Sequence, residues 1–304
     1  MRWLVSVSIA VLAVACGSEL PSPTRVDKLR LLALVSDTPD ALAGTDVTVR
    51  AVWADGSSRS GRPVYFHWWL CAEGSDHEPR TCLRDRADDV LLDGAGSAGA
   101  DRVTIPAGRL ALPASGADLG YFVLVAICPD SAPAWNATQG QFDCPNERAI
   151  AYAMREGIQG FRRVVVRSRE RVATVPLNRN PDFLRVRVGT QDVPADAATV
   201  TLPRCAVALD ATCPTVAVAI EATTDSVEGR GDGTDETLLV SFFATDGVFD
   251  RPRAVGSMTD PRGVGGSLAA SWSAPRTAAA ISMWVVLRDG RGGESTRMAN
   301  VRVE

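Results

Sequence analysis

Hydrophobic residues from position 26 onward recur in short runs, and within several runs they alternate with polar residues. Runs of about four to eight residues that end at Gly, Pro, Asp or Ser are typical of β-strands. Val47, Val49 and Ala51, for example, alternate with Thr48 and Arg50, which predicts a strand with one buried face. The strongest strand signals in the first half of the chain lie at 29–35, 45–53, 64–70, 121–127 and 162–167. This half is therefore predicted to form a β-sandwich.

A second group of strands follows a break at 176–181, a polar segment with a proline at each end. Beyond it the pattern predicts seven strands, the usual number in an immunoglobulin-like (Ig-like) sandwich, at 183–188, 198–202, 216–222, 237–244, 267–272, 281–287 and 296–303. Two domains suit a chain of this length. We therefore predict a mainly β protein with two tandem Ig-like β-sandwich domains, at 28–175 and 182–304, joined by the linker 176–181.

Two segments of the first domain depart from this pattern. The segment 71–117 is rich in Asp, Arg and Gly and has weak strand signals only around Val90 and Val103. An insertion of this length is either a functional loop or a disordered one. A helix is predicted at 147–156, because its apolar residues fall on one face and Asn146 is placed to cap its N-terminus.

The start of the chain has the pattern of a signal peptide. Arg2 precedes an apolar run at 4–15, which is too short to cross a hydrocarbon core of roughly 30 Å as a helix. The run ends in Leu12-Ala13-Val14-Ala15-Cys16-Gly17, which resembles the bacterial lipobox. The resemblance implies removal of the signal peptide 1–15 and lipidation of Cys16. Ala13-Val14-Ala15 also fits ordinary signal peptidase cleavage, which is the alternative.

The residues after Cys16 are short, polar and proline-bearing, and they predict a flexible tether at 16–27. In lipoproteins that resemble this one, Gly rather than Asp after the lipidated cysteine implies sorting to the outer membrane. The protein is therefore expected to be exported and anchored in the cell envelope through an N-terminal lipid. Whether it faces the periplasm or the cell surface is left open.

Six further cysteines remain once Cys16 is set aside: Cys71, Cys82, Cys128, Cys144, Cys205 and Cys213. An even number in an exported chain predicts three disulfides, although six cysteines admit 15 pairings. Proximity along the chain favours Cys71 with Cys82, Cys128 with Cys144, and Cys205 with Cys213. A zinc site is disfavoured, because there is no C-x-x-C pair and the chain has only two histidines.

Composition and charge exclude several functional classes. The net charge of −4 is spread along the chain without long runs, so neither a nucleic-acid footprint nor a basic membrane patch is predicted. The glycine pattern G-x-G-x-x-G at 94–99 is not followed by a helix, which argues against a dinucleotide site. No cofactor is expected.

No catalytic set emerges from the sequence. His67 lies in a tryptophan-rich strand, His77 lies in a predicted disulfide loop, and no serine stands in a G-x-S-x-G motif. Paired carboxylates remain an open alternative, with the insertion 71–117 as their place. The acidic loop 225–236 is a candidate Ca²⁺ ligand set, although its spacing is not that of an EF-hand and solvated acidic turns are commoner. The tripeptide at 230–232 matches the integrin motif RGD, which is short enough to recur by chance.

Trp68 and Trp69 are neighbours on one predicted strand, so their side chains point to opposite faces. One is expected in the core. The other is expected to be covered by the insertion or, as the alternative, to be exposed beside Tyr65 or His67 as part of a surface that binds sugar or protein.

Two stretches resemble known domain types. Trp284-Val-Val-Leu-Arg-Asp-Gly-Arg-Gly-Gly293, followed by Ala299-Asn-Val-Arg-Val303, resembles the last two strands of PKD-like and other bacterial Ig-like modules. Pro63-Val-Tyr-Phe-His-Trp-Trp-Leu-Cys71 is similar to the central tryptophan strand of Ig-like domains. The resemblance implies an envelope lipoprotein with tandem Ig-like domains and carries no catalytic residues.

These observations predict a lipid-anchored, non-enzymatic binding or structural module. The expected partners are the membrane, through the lipid, and either an envelope protein or a polysaccharide. The alternative is a secreted adhesin-like or carbohydrate-binding module, whose dependence on calcium is left open.

Overall fold

The computed structural model describes residues 22–57, 61–73, 90–91, 97–113, 115–136, 141–147, 156–205, 213–226, 237–256 and 268–304. Their strands form two successive β-sandwiches, each made of two main sheets. The predicted fold class is therefore confirmed: the protein is mainly β and has two tandem Ig-like sandwiches. The predicted signal peptide 1–15 and the predicted lipidation site Cys16 lie outside the described residues.

The first sandwich contains β1 (Leu29–Ser36), β2 (Asp40–Leu42), β3 (Val47–Asp55), β4 (Val64–Ala72), β5 (Val90–Leu91), β6 (Ser97–Ala98), β7 (Arg102–Ile105), β8 (Leu119–Pro129), β9 (Ala134–Asn136), β10 (Gln141–Asp143) and β11 (Ile158–Arg167). Sheet I has the order β1-β3-β7, and sheet II has the order β2-β11-β8-β4-β5, with β6 also paired to β4. Strands β9 and β10 form a separate hairpin. The short strand β2 runs parallel to β11, whereas the other pairs of sheets I and II are antiparallel.

The second sandwich contains β12 (Phe183–Val188), β13 (Gln191–Asp192), β14 (Ala198–Leu202), β15 (Thr215–Ala222), β16 (Leu239–Ala244), β17 (Val248–Phe249), β18 (Arg253–Val255), β19 (Ala269–Ser273), β20 (Ala279–Arg288) and β21 (Glu294–Val303). Sheet III has the order β14-β21-β20-β16-β18, and sheet IV has the order β13-β12-β15-β19-β17. Strand β14 runs parallel to β21. The two sandwiches thus share one design, in which a short early strand joins the edge of the last strand.

Each sandwich has its own apolar core between its two sheets. Trp68 is buried between sheets I and II, and its Nε1 donates to the Ala100 carbonyl oxygen at 2.9 Å. Trp272 and Phe242 are buried between sheets III and IV. Because successive strand residues point to opposite faces, this inward placement of Trp68 sends Trp69 to the outer face of sheet II.

A further apolar cluster joins the two sandwiches. Leu32 of β1 and Val52 of β3 project from the outer face of sheet I and pack against Trp284 and Val286 on the outer face of sheet III. The four sheets therefore stack in the order II, I, III, IV. Strand β3 was predicted to bury one face, yet part of its second face is also buried, because the second sandwich covers Val52 and Ala54.

Ion pairs at the edge of this contact cross between the sandwiches. The buried Arg162 guanidinium lies 3.2 Å from the Glu294 carboxylate, and Arg288 contacts the same carboxylate. Arg288 also donates from Nη2 to the Leu32 carbonyl oxygen at 3.0 Å. Burial lowers the pKa of Arg162, and the negative charge of Glu294 opposes that change. The contact is thus apolar at its centre and charged at its edge.

Helical structure is sparse in the described residues. The helix α1 (Arg169–Val172) follows β11, and Ser168 caps it by accepting a hydrogen bond from the Arg171 N–H at 3.2 Å. Most of the helix predicted at 147–156 lies outside the described residues. None of the helices in the described part of the chain is long and apolar enough to cross a membrane.

Candidate binding sites

A cavity lies where the linker passes between the two sandwiches. It has a volume of about 1080 Å³ and is lined by the β1–β2 turn, the end of β11, residues 172–180 and the β20–β21 hairpin. We call it the linker cleft. Both sandwiches and the segment that joins them contribute to its walls, so the cleft exists only because the sandwiches are packed together.

Asp40 organises the floor of the linker cleft. Its carboxylate is 3% exposed and accepts a hydrogen bond from Arg167 Nε at 3.0 Å and one from the Asn178 backbone N–H at 3.1 Å. Arg291 Nη2, from the second sandwich, lies 3.6 Å from the same carboxylate. One buried charge of the first sandwich therefore holds both the linker and the second sandwich in place.

The linker is bound rather than free. Asn180 Nδ2 donates to the Ser36 carbonyl oxygen at 2.6 Å, and its Oδ1 accepts from the Glu294 N–H at 2.9 Å. Asn178 is 3% exposed and donates from Nδ2 to Asp289 at 3.3 Å. Its Oδ1 is buried and has no hydrogen-bond partner in the described residues. A buried acceptor of this kind costs stability.

The chemistry of the linker cleft favours a polar ligand with negative charge. Three arginines but only two aspartates line it. Arg179 is exposed, and its side chain makes no ion pair or hydrogen bond within the described residues. Val172, Val175 and Leu177 add an aliphatic surface. A ligand with carboxylate groups would meet cationic donors and an apolar wall in one place.

A second surface is aromatic and covers the outer face of sheet II. Trp69 is buried beneath Phe142 of the β9–β10 hairpin, with ring centroids 4.5 Å apart. Phe122 contacts Phe161 edge to face at 5.8 Å, and Phe161 is 55% exposed. The expected cover for the second tryptophan was the insertion 71–117. Residues 74–89 and 92–96 of that insertion lie outside the described residues. Among the described residues the β9–β10 hairpin covers Trp69, and Phe161 is an exposed ring.

Two of the predicted disulfides are present in the structure. Cys128–Cys144 and Cys205–Cys213 each have a Cα–Cα distance of 5.4 Å. The first closes the chain around the β9–β10 hairpin and so fixes the cover over Trp69. Cys71 is also disulfide-bonded, while its predicted partner Cys82 lies outside the described residues.

The other candidate residues do not come together as a site. His67 packs against the rings of Trp69 and Phe142, and His77 lies outside the described residues. Asp225 lies in a 3₁₀ turn, Thr224–Ser226, while the rest of the candidate Ca²⁺ loop, 227–236, is outside the described residues. Within the described ranges, no group of three or more His, Cys, Asp or Glu is arranged to hold a metal ion.

The linker cleft was missed by sequence reasoning. From the sequence, its charged residues are expected to lie in separate solvent-exposed turns, because Asp40 and Arg291 are far apart in the chain and belong to different domains. The available signal was the segment Asn178-Arg179-Asn180 between two prolines, whose short amide side chains are suited to bonding backbone groups.

No protein-family model matches the chain, and no curated protein matches it. Solved structures found to be similar to the chain include the Ig1-2 module of the Drosophila receptor protein tyrosine phosphatase DLAR (10% identity, covering 91% of this chain and 99% of that chain, TM-score 0.24). The two tandem V-type regions of the chitin-binding protein VCBP3 share 12% identity over 91% of this chain and 99% of that chain, with a TM-score of 0.32.

The Bacteroides ovatus glucan-utilisation protein SGBP-B, solved with a mixed-linkage heptasaccharide, shares 10% identity over 90% of this chain and 47% of that chain, with a TM-score of 0.23. TM-scores this low do not establish a shared fold or function. The assignment of two Ig-like sandwiches rests on the strand order and pairing described above.

Proposed function

We propose that the chain is an exported, lipid-anchored envelope protein that acts without catalysis and binds an acidic polysaccharide in the linker cleft. The observation that carries the proposal is the cleft itself, in which three arginines outnumber two aspartates and the Arg179 side chain is exposed. Uronic acid polymers offer carboxylates for the arginines.

Two features support export and anchoring. Disulfides persist in oxidising compartments, and the described residues contain Cys128–Cys144 and Cys205–Cys213. The lipobox-like sequence before Cys16 supports the lipid.

Reversing one charge at the cleft is expected to weaken binding. We expect Arg179→Glu to reduce the affinity for polygalacturonate about tenfold, or about 1.4 kcal/mol, because an unpaired arginine becomes a repelling carboxylate. The effect should shrink as salt is added, since exposed charges are screened. Isothermal titration of the soluble protein from residue 22 with polygalacturonate, at two salt concentrations, measures both quantities.

Arg253→Glu is the matched control, because Arg253 is exposed on β18 outside the cleft and carries the same charge change. It should bind like the wild type. Equal losses in both variants would mean that net charge and not the cleft governs binding. Absence of wild-type binding to polygalacturonate would contradict the polysaccharide proposal, and binding that disappears with a Ca²⁺ chelator would favour the calcium-dependent alternative.

Lipidation is tested separately from binding. Labelled palmitate fed to cells that express the full chain is expected to enter the wild-type protein and to be lost completely from Cys16→Ala. Equal incorporation by the two proteins would place the lipid elsewhere. No incorporation into the wild type would leave ordinary signal peptidase cleavage after Ala15 as the account of export.

A further inference from the structure

The chain enters the fold along the second sandwich, although β1 belongs to the first. The Val26 N–H donates to the Ala244 carbonyl oxygen at 2.8 Å, and the Ala244 N–H donates to the Thr24 carbonyl oxygen at 3.0 Å. Arg25 and Ala244 thereby form a parallel β-bridge. Thr24 to Val26 were included in the predicted flexible tether, but here they are held to the end of β16 in sheet III.

Side chains and neighbouring backbone reinforce this docking. Val26 is fully buried in the cluster that joins the sandwiches. Arg30 donates from Nη1 to the carbonyl oxygens of Pro23 and Arg25, both at 2.9 Å. A Cβ on Gly56 would lie 1.7 Å from the Val26 carbonyl oxygen, so only glycine allows the tether to lie this close. We call Ser22 to Val26 the docked tether.

The docked tether limits where a lipid on Cys16 can be. Six residue steps separate Cys16 from Ser22, and an extended chain of that length spans at most about 21 Å. From Val26, the chain runs along β1 to the β1–β2 turn that lines the linker cleft. The eight residues of β1 cover roughly 26 Å, so the docked tether and the cleft lie at opposite ends of this strand.

We propose that the docked tether fixes the orientation of the protein on the membrane, with the linker cleft facing away from the bilayer. The surface next to the lipid is then the end that carries Gly56 and the turn after Ala244, where Arg25 pairs with Asp246 at 3.6 Å. Binding of a long polysaccharide needs such an orientation, because a cleft pressed on the bilayer would be closed to a polymer. The inference rests on the proposed lipid anchor.

The test attaches the anchor chemically, so it does not depend on lipidation in cells. Protein that begins at Cys16 is coupled through that thiol to a maleimide lipid in phosphatidylcholine vesicles that also contain a Ni²⁺-chelating lipid. A ketone-bearing amino acid replaces Lys28, near the docked tether, in one protein and Ala173, at the cleft end, in another. Both residues are exposed, and each ketone is labelled with a nitroxide.

Relaxation of the nitroxide by Ni²⁺ at the bilayer surface then reports the depth of each position. We expect relaxation at position 28 to exceed that at position 173 at least fivefold. Equal relaxation at the two positions, or stronger relaxation at 173, would overturn the proposed orientation. Palmitate labelling of cells tests natural lipidation independently, so a failure of the anchor and a failure of the orientation give different results.

A tether variant separates docking from other causes of orientation. Thirty residues of Gly and Ser inserted between Pro21 and Ser22 leave the docked tether intact but add a flexible span of about 30 Å. We expect the insertion to reduce the ratio between the two positions to below twofold. A ratio that stays high would mean that the protein surface binds the bilayer directly, and it would overturn the assignment to the tether.

Discussion

Trp284→Ala is expected to uncouple the two sandwiches. The indole of Trp284 is 8% exposed and packs in the cluster formed with Val26, Leu32 and Val52 of the first sandwich. Removing a buried tryptophan costs about 3–5 kcal/mol through lost burial and the cavity that remains. Because this cavity lies between the sandwiches and not within one, the loss should fall on the contact that makes them unfold together.

Denaturant unfolding, calorimetry and hydrogen exchange of each sandwich together measure the coupling between the two sandwiches. The wild type should unfold in one transition, and Trp284→Ala in two. Trp272→Ala is the matched control: it removes a tryptophan from the core between sheets III and IV, so it should destabilise the second sandwich by a similar amount. A Trp284→Ala protein that still unfolds in one transition within 1 kcal/mol of the wild type would contradict the shared core.

Arg62→Met is expected to destabilise the first sandwich by about 3–5 kcal/mol, the usual cost of leaving a buried charge without its partner. Arg62 is 5% exposed and lies 2.8 Å from Asp55, whose carboxylate is equally buried, and it also contacts Glu156 and Asp130. Urea unfolding of both proteins gives the difference. Arg185→Met, at an exposed ion pair with Asp192, should cost less than about 1 kcal/mol.

The same ion pair predicts an acid dependence of stability. Burial by itself raises the pKa of Asp55, but hydrogen bonds from Ser57 and Arg62 outweigh it and hold the pKa below the ordinary value. The stabilisation by the Asp55–Arg62 ion pair is therefore complete above the pKa of Asp55 in the unfolded chain, about 3.9. It disappears as the pH falls through the lower pKa that Asp55 has in the folded protein. Asp55→Asn should flatten this part of the pH profile; an unchanged slope would contradict the assigned charge.

Strand positions were predictable because burial leaves a period of two in the sequence. The strands at 183–188 and 198–202 have the predicted bounds. The two-residue strands such as β13 and β17 were missed, because they are too short to show a period and are held by neighbouring strands. The packing between the sandwiches is also visible in the sequence, because a continuous apolar run such as 283–287 indicates a strand buried on both faces.

The candidate site was less predictable than the fold, for a physical reason. Asp40 and Arg291 come together only when both sandwiches have formed and docked. No local sequence pattern predicts this long-range contact. The docked tether was likewise hidden, because Thr24 to Val26 resemble any polar connecting segment until the edge of β16 offers Ala244 as a partner. What sequence reasoning did supply were two of the disulfide pairs, Cys128–Cys144 and Cys205–Cys213.

The most direct test of the proposed function is hydrogen exchange of the soluble protein with and without saturating oligogalacturonate. Backbone amides of residues 172–180 and of the β20–β21 hairpin should exchange at least fivefold more slowly with the ligand, while those of 158–163, beside the exposed Phe161, stay unchanged. Protection confined to the aromatic face of sheet II, or no protection anywhere under conditions of measured binding, would contradict the linker cleft as the binding site.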